Sequence, residues 1–550
     1  MHPRRRLSQA LLLLTSLLPA VAAQATGGAP SKQEPGGATA VVTQGEQNAL
    51  RAAAFKAENE GRYSDAADAF LKLSRSAPDR IDWVVAAGRC LGSSGRFGAA
   101  VDLLDQARRR FAGSIEVNAM LAKTLLLQTE RDDGMVHPEV SWAEAAEITE
   151  DVLKRDPGHA DCRLLLAQCR YLLGQWDEAQ RQADEALRRH PGRAGAHVLS
   201  GRLATDRMRK LFTELEAAGD DERARADLVA ALHAQRTKAS AAFQRAAALD
   251  PTRAHPHVAL STLASLDGKP DEARRHLHEA LAIDPEVYVD HARMTQGMDW
   301  EARVALYRRL RARFDAGARL PAAVQARKSA ALRFHEARAL LDGLQFGPAL
   351  AAFRAVKAAD PDAHNADYYA FLCAYHQRDY DAAERFAADY ARRSAPGFAD
   401  VLRALPTEQR VQIAAMVQFL GDRAFQQERI DNSRDLNHVT ACLKDSADAW
   451  NNHAFLCRET GAFERALTSY QYAIQKEPGS PQLWNDGGVV LQYHLASPEN
   501  LKKAREMYGK ALELSRAVLE DAAATAEQRA FAKQAAENAR LNLAELDKQD

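Results

Sequence analysis

The sequence predicts an all-α protein built of antiparallel helix pairs stacked in one long array. Three observations predict it. Ala supplies 110 of the 550 residues, Gly turns interrupt helical periodicity at regular intervals, and a 34-residue pattern recurs along most of the chain. The segment DWVVAAGRCLGSSGRFGAAVDLLDQA aligns with CRLLLAQCRYLLGQWDEAQRQADEALRRHP and again with AWNNHAFLCRETGAFERALTSYQYAIQKEP. In each, a helical stretch meets a Gly turn and then resumes for a second helix, which Pro commonly closes.

The chain opens on MHPRRRLSQALLLLTSLLPAVAAQA. A positive start at Arg4, Arg5 and Arg6, an apolar stretch over Ala10–Leu18 and small residues after Pro19 are the three parts of an export signal. Val21-Ala22-Ala23 is its expected cleavage site, so the mature chain is expected to begin near Gln24. The apolar stretch is shorter than the roughly 20 residues a bilayer span needs. The adjacent arginines lack the rest of a twin-Arg motif, and no Cys follows to carry a lipid anchor. Residues 24–46, rich in Gly, Ala, Pro and Thr, read as a flexible linker. The expected location is periplasmic or secreted, with no membrane span once the signal is removed.

Lys plus Arg total 73 and Asp plus Glu 74, a net charge of −1, with 46% hydrophobic and 27% charged residues. This is a folded composition, and the balanced charge speaks against a nucleic-acid binder, which carries a basic excess. Six Cys would permit disulfides in an oxidising compartment. Cys90, Cys169, Cys373 and Cys457 recur near one repeat position, however. Cys162 and Cys169 lie seven apart on one helix, too far to bridge. They read as small buried hydrophobes.

Ten repeat units begin at Gln47, Ile81, Ile115, Ala160, Ala194, Ala254, Ala330, His364, Ala447 and Pro481. Position 20 is Ala in all ten, from Ala66 and Ala100 to Ala466 and Ala504; position 8 is small in nine and position 32 is Pro in seven. The pattern resembles the tetratricopeptide repeat family, which implies a right-handed superhelical solenoid of antiparallel helix pairs. Small residues let the two helices of a unit cross closely, aromatics such as Phe70, Trp176 and Tyr470 fill the space between units, and stacked units share one continuous core.

The expected organisation is a signal peptide over 1–23, the linker over 24–46 and six units over 47–287, with insertions near 129–139 and 206–235. The second insertion, 26 residues around KLFTELEAAGDDERARADLVAALHAQR, reads as an extension of both helices. Residues 288–329 form an irregular helical connector, 330–397 two units, 398–446 a degenerate helical repeat, 447–518 two units and 519–550 a capping helix. The two poorly fitting stretches are read as decayed repeats or hinges.

No phosphate loop, dinucleotide fingerprint, HExxH, GxSxG or EF-hand loop is present in the sequence. No enzyme activity, cofactor or metal is expected. The most metal-like feature is His255, His257, His276 and His278 in one unit, but residues two apart on a helix point roughly 200° apart, so neither HxH pair converges by itself. The basic run Arg303–Arg313 carries its apolar residues Val304, Leu306, Tyr307 and Leu310 on one helical face and reads as a solvated outer surface.

The resemblance implies that a ligand lies on the concave face, lined by positions 2, 5, 9 and 12 of each first helix. In the last three well-formed units the candidates are Asn365, Tyr368 and Tyr375; Asn451, Phe455 and Arg458; and Asn485 and Gln492. Amides pair with a peptide backbone and aromatics supply rigid apolar anchors. Trp450 and Trp484, at position 4, read as core. No paired basic set for gripping a carboxylate terminus stands in these units. The expected function is a non-enzymatic scaffold of the cell envelope that binds a protein or extended peptide in its groove, with weak self-association left open. The alternative is a structural subunit of an export or polysaccharide-assembly machine, docked by its outer face.

Overall fold

The structure, a computed structural model, describes residues 44–128, 138–219, 221–394 and 397–548. The export signal, most of the linker and most of the 129–139 insertion lie outside the described residues. Among the described residues there are 26 α-helices and no strand, and the chain divides into two compact units that end and begin at Leu332 and Arg333.

The first unit runs through six helix pairs: α1 (Gln44–Asn59) and α2 (Tyr63–Ser76), α3 (Ile81–Ser93) and α4 (Phe97–Arg110), α5 (Ile115–Gln128) and α6 (Pro138–Arg155), α7 (Ala160–Leu172) and α8 (Trp176–Arg189), α9 (Ala194–Ala217) and α10 (Glu222–Leu249), α11 (His255–Leu266) and α12 (Pro270–Ile283). The insertion around residues 206–235 lengthens both α9 and α10. The connector over 288–329 holds a four-residue helix, α13 (His291–Met294), and a long one, α14 (Trp300–Gly317), capped by the Asp299 carboxylate, which accepts from the Ala302 N–H. Val304, Leu306, Tyr307 and Leu310 of α14 are all buried, so the Arg-rich run is the other side of a core helix. α15 (Ala322–Asp342) follows.

In the second unit come α16 (Phe346–Ala359), α17 (His364–His376), α18 (Tyr380–Arg393), the short α19 (Phe398–Arg403), α20 (Thr407–Gln426), α21 (Ile430–Lys444), α22 (Ala447–Glu459), α23 (Phe463–Lys476), α24 (Pro481–Tyr493), α25 (Pro498–Glu520) and α26 (Ala526–Leu546). Thr525 and Gln528 form a reciprocal capping box at the start of α26. That helix buries Ala532, Ala535, Ala536 and Ala539 on the end of the array.

Packing follows the repeat. Nine of the ten position-20 alanines have no exposed surface, and Ala273 has 5%. Position 8 is held small for the same reason: a Cβ on Gly88 would stand 2.9 Å from Leu104, and one on Gly488 2.6 Å from the Tyr508 ring. Tyr470, Tyr508, Phe70 and Phe353 are fully buried between helices, and truncating any of them to Ala leaves a cavity worth about 3–5 kcal/mol.

The stretch 398–446 is a full helix pair preceded by a short helix. α20 and α21 carry Gly421 and Ser433 where the other units carry small residues at positions 8 and 20, and the buried Ser433 hydroxyl donates to the Gly421 carbonyl at 2.9 Å. That internal hydrogen bond lets Ser stand in for Ala. Asp445, in the left-handed conformation at φ 49°, ends α21 where other units use Pro. All five Cys apart from the half-buried Cys442 are buried, and all six are free thiols.

In most pairs the turn between the helices takes a positive φ. Six pairs place Gly there, as at Gly461 (φ 75°), but in three others the residue is Leu344 (φ 56°), Arg378 or Glu428. Leu344 is 70% exposed, so no burial compensates its strain. Leu344→Gly is expected to raise stability by about 0.5–1 kcal/mol, the relief of left-handed strain exceeding glycine's entropy cost. Urea unfolding of the two proteins reads this directly, and a lower midpoint for the Gly variant contradicts it.

Candidate functional site

In the first unit, the first helices of successive pairs pack side by side and contribute to one face. Four consecutive pairs enclose an apolar pocket of about 320 Å³ on that face. Its aliphatic wall is Leu126 and Leu127 from the end of α5, Leu172 of α7, Val198 and Leu199 of α9, and Pro256 of α11. Its polar side is Gln168 and Tyr171 of α7, Arg202 of α9, and Arg253 and His255 at the start of α11. Counted from the unit starts, Gly195 and His255 hold position 2, Val198 position 5, Gln168 and Arg202 position 9, and Leu126 and Tyr171 position 12. The positional rule that named groove candidates in the last three well-formed units therefore names this pocket when carried to units three to six. The signal was in the sequence; nothing there marked which units would close a cavity.

Two of the polar groups are held by carboxylates. The Tyr171 hydroxyl donates to Asp206 Oδ2 at 2.6 Å, and Arg209 Nη1 engages the other oxygen of that carboxylate at 2.9 Å. Burial, with Asp206 nearby, pushes the Tyr171 phenol up, so it stays protonated. Arg253 Nε bonds Asp250 at 2.6 Å. Burial and the neighbouring Arg202 and Arg253 guanidiniums pull the His255 imidazole below its ordinary value, against the opposing pull of Asp284. No carboxylate lines the pocket.

The second unit places the named candidates differently from one another. Asn365 is exposed and Tyr375 half-buried. Tyr375 joins Phe419 of α20 (ring centroids 6.0 Å), which also meets Tyr380 at 5.1 Å. Phe455 lies 6.2 Å from the exposed Phe425 of α20, and the Arg458 guanidinium stands over the Phe455 ring at 5.3 Å. Asn451, half-buried on the same helix, holds its Oδ1 buried without a hydrogen-bond partner. Phe419 and Phe425 were missed in the sequence because α20 belongs to the stretch whose repeat signature, Ala at 20 and Pro at 32, is replaced by Ser and Asp.

Three candidates are turned inward. Tyr368 is 8% exposed and sits in an aromatic cluster with Phe371, Tyr390 and Phe398. The short helix α19 brings Phe398 over it, which the repeat pattern does not foresee. Asn485 and Gln492 are 3% exposed because α26 covers them. Asn542 donates to Asn485 Oδ1 at 3.2 Å, Gln492 donates to the Asn542 carbonyl at 3.3 Å, and the Tyr508 hydroxyl donates to Gln492 Oε1 at 2.6 Å. These three side chains hold the array together. Trp450 is buried and Trp484 half-buried, their indole N–H groups donating to Asp445 and to the Pro478 carbonyl.

The four histidines of the sixth pair do not converge. His257 and His276 meet with Nδ1 atoms 3.3 Å apart, whereas His255 lines the pocket. Among the described residues no three His, Cys, Asp or Glu side chains are grouped to hold a metal ion.

A second histidine cluster escaped sequence reading. His438 of α21 and His453 of α22 have ring centroids 4.7 Å apart. The Ser469 hydroxyl donates to the Arg465 carbonyl at 2.9 Å, so its oxygen accepts from His453 Nδ1–H at 2.9 Å. His453 Nε2 is then the acceptor facing the Cys457 thiol at 3.2 Å. Burial, with His438, Arg465 and Arg434 around it, pulls His453 down to about 3 from the ordinary 6.5. His453 thus folds as the neutral ring. Its contribution is complete above pH 6.5 and is lost as pH falls towards 3, at up to about 1.4 kcal/mol per pH unit. Stability of the second unit is expected to fall steeply between pH 6.5 and 4, and His453→Gln to flatten that limb in urea titrations. Parallel limbs for both proteins would place the acid sensitivity elsewhere.

Paired helices with small residues buried at their crossings, presenting a shaped face of first helices, define a class of helical-repeat scaffold that works through protein–protein contact. Residues 141–203, from the end of the third helix pair into the fifth, match the family model described as tetratricopeptide repeat. Such repeats are in general non-catalytic. No curated protein matches the sequence. Among solved structures it is similar to a tetratricopeptide repeat protein from Parabacteroides merdae, at 12% identity over 60% of this chain and 98% of that one with a TM-score of 0.30. It is also similar to the anaphase-promoting-complex hetero-tetramer Cut9–Hcn1, at 12% identity over 90% of this chain and 96% of that one with a TM-score of 0.29. A third similarity is to YrrB, described as a tetratricopeptide protein with an unusual peptide-binding site, at 18% identity over 37% and 91% with a TM-score of 0.20. Among the described residues no helix is long and apolar enough to cross a membrane.

Proposed function

We propose that this protein is an exported, non-enzymatic scaffold of the cell envelope that holds an extended segment of a partner protein along its first-helix face. One observation carries the reading: an apolar pocket made by groove positions of four successive units, with hydrogen-bonding and cationic groups on one side. Apolar anchor pockets with a few placed polar groups are the usual form of a recognition site, and a segment crossing four units sums many weak contacts. The aromatic strip of Tyr375, Phe419, Phe425 and Phe455, with Asn451 and Arg458 beside it, offers a further stretch of the same kind in the second unit. Export rests on the amino-terminal sequence, and the mature protein is expected to begin at Gln24.

The test is affinity capture from a detergent-solubilised envelope extract, comparing wild type with Val198→Asp and Arg253→Gln, with mass spectrometry of bait and captured protein. A partner held by wild type and depleted at least tenfold on Val198→Asp is expected, since the new carboxylate replaces apolar wall by charge. A partner held equally by all three proteins would favour the alternative of a structural subunit docked through its outer face. A bait that retains residues 1–23 would refute export.

A further inference from the structure

The aromatic strip of the second unit is accompanied by acids and not by free bases. We propose that the partner segment it holds is cationic, with Arg or Lys side chains lying on the rings of Phe419, Phe425 and Phe455 and their charged heads against Asp422 and Asp486. This inference rests on the groove reading and names the partner chemistry of its second stretch.

The strip is continuous and open. Tyr375 meets Phe419 with ring centroids 6.0 Å apart, and Phe425 meets Phe455 at 6.2 Å. Phe419 and Phe425 are 43% and 47% exposed, and the exposed Asp422 stands between them, three residues from each along α20. On α22 the exposed Asp448 lies one turn before Asn451. On α24, where α26 covers Asn485 and Gln492, the accessible stripe is Gln482, Asp486, Val489 and Tyr493.

Charge on the strip is of one sign. Among the described residues no ion pair engages Asp422, Asp448 or Asp486. Partial burial pushes the Asp422 carboxyl above its ordinary range, against the pull of Lys444. Burial does the same to Asp486, against the Asn485 and Gln482 amides and the nearby Arg458. Each carboxylate gains from a contacting cation that the chain itself does not supply. The one cation among the groove positions of α20, α22 and α24 is Arg458, and it is engaged, standing over the Phe455 ring and pairing with Glu459 at 3.3 Å. Asn451 Oδ1 adds a buried acceptor with no donor. Ring faces attract a cation and cover its apolar stem, and a guanidinium stacks on rings while donating to carboxylate and amide oxygens. An acidic segment in the same place meets like charge.

The experiment selects a random twelve-residue peptide library displayed on phage against the immobilised full chain, with counter-selection on Phe425→Ser. Enriched sequences are then synthesised with each Arg or Lys and with its neutral counterpart, citrulline or acetyl-lysine. The expected consensus has Arg or Lys within two positions of an aliphatic or aromatic residue, and the neutral twin binds about fivefold more weakly. Asp422→Asn, an exposed change that threatens no packing, is expected to weaken the basic peptide and leave its neutral twin unchanged. Neutral twins that bind as tightly as the basic peptides overturn the ligand class while the groove reading stands. Peptides lost on Val198→Asp but kept on Phe425→Ser belong to the pocket of the first unit and overturn the assignment to this strip alone. Peptides that bind wild type and both variants equally overturn the groove reading as well. A dimer of the full chain in sedimentation, dissociated by Asp422→Asn, overturns the partner assignment in favour of a second copy.

Discussion

Arg429→Met is expected to destabilise the second unit by about 3 kcal/mol. Glu384 of α18 has no exposed surface, and its carboxylate is satisfied almost wholly from the turn before α21 and the helix itself. Arg429 donates from Nε at 2.6 Å and from Nη2 as well, and Asn432 donates at 2.9 Å. Arg423 stands 3.7 Å away. Removing the Arg429 guanidinium leaves a buried carboxylate with Asn432 and a distant partner, and an uncompensated buried charge costs far more than the pair contributes. The double variant Glu384→Met/Arg429→Met removes both charges and is expected to recover most of the loss. Urea unfolding of the two single variants and the double closes the cycle. A single-variant loss below about 0.5 kcal/mol, the size of one surface ion pair, would contradict this account of the buried carboxylate.

Gly201→Leu is expected to cost the first unit about 3 kcal/mol or more and to abolish partner capture at once. A Cβ on Gly201 would stand 2.7 Å from two atoms of the Phe243 ring, which is itself 3% exposed and has nowhere to go. The long helices α9 and α10 must part to admit a leucine, and α9 carries Val198 and Arg202 into the pocket. Hydrogen exchange resolves the effect locally, because repeats open as neighbouring units and not all at once. Protection should fall across α9 and α10 and survive in α22–α25. Uniform loss of protection across both units would contradict the local mechanism. Gly201→Ala, with the same Cβ and nothing beyond it, should show a smaller loss of the same pattern.

Much of this was legible in advance, for a physical reason. A helix crossing admits only small side chains, so Ala100, Ala179 and Ala466 announce the pairs in the sequence, and a turn that needs positive φ announces itself through Gly174 or Gly461. Where another residue met the same demand by other means, the signal failed. Ser433 replaced Ala through an internal hydrogen bond, so the stretch 398–446 read only as a degenerate helical repeat and its exposed Phe419 and Phe425 were not named. Position alone also misplaced Tyr368, Asn485 and Gln492, because a residue that faces the groove in an ideal unit is buried wherever a non-repeating helix such as α19 or α26 lies across it.

The sequence by itself determined the all-α class and the repeated helix pairs, since these depend on local periodicity and on the volume tolerated at each crossing. Only the tertiary structure decided which first-helix residues stay accessible, and that four units close a pocket around Val198 with Arg202, Arg253 and His255 on one side. It also decided that Glu384 and His453 are buried polar groups completed by distant partners. Those properties arise from side chains far apart in the chain, and no single repeat encodes its neighbours' contribution to them.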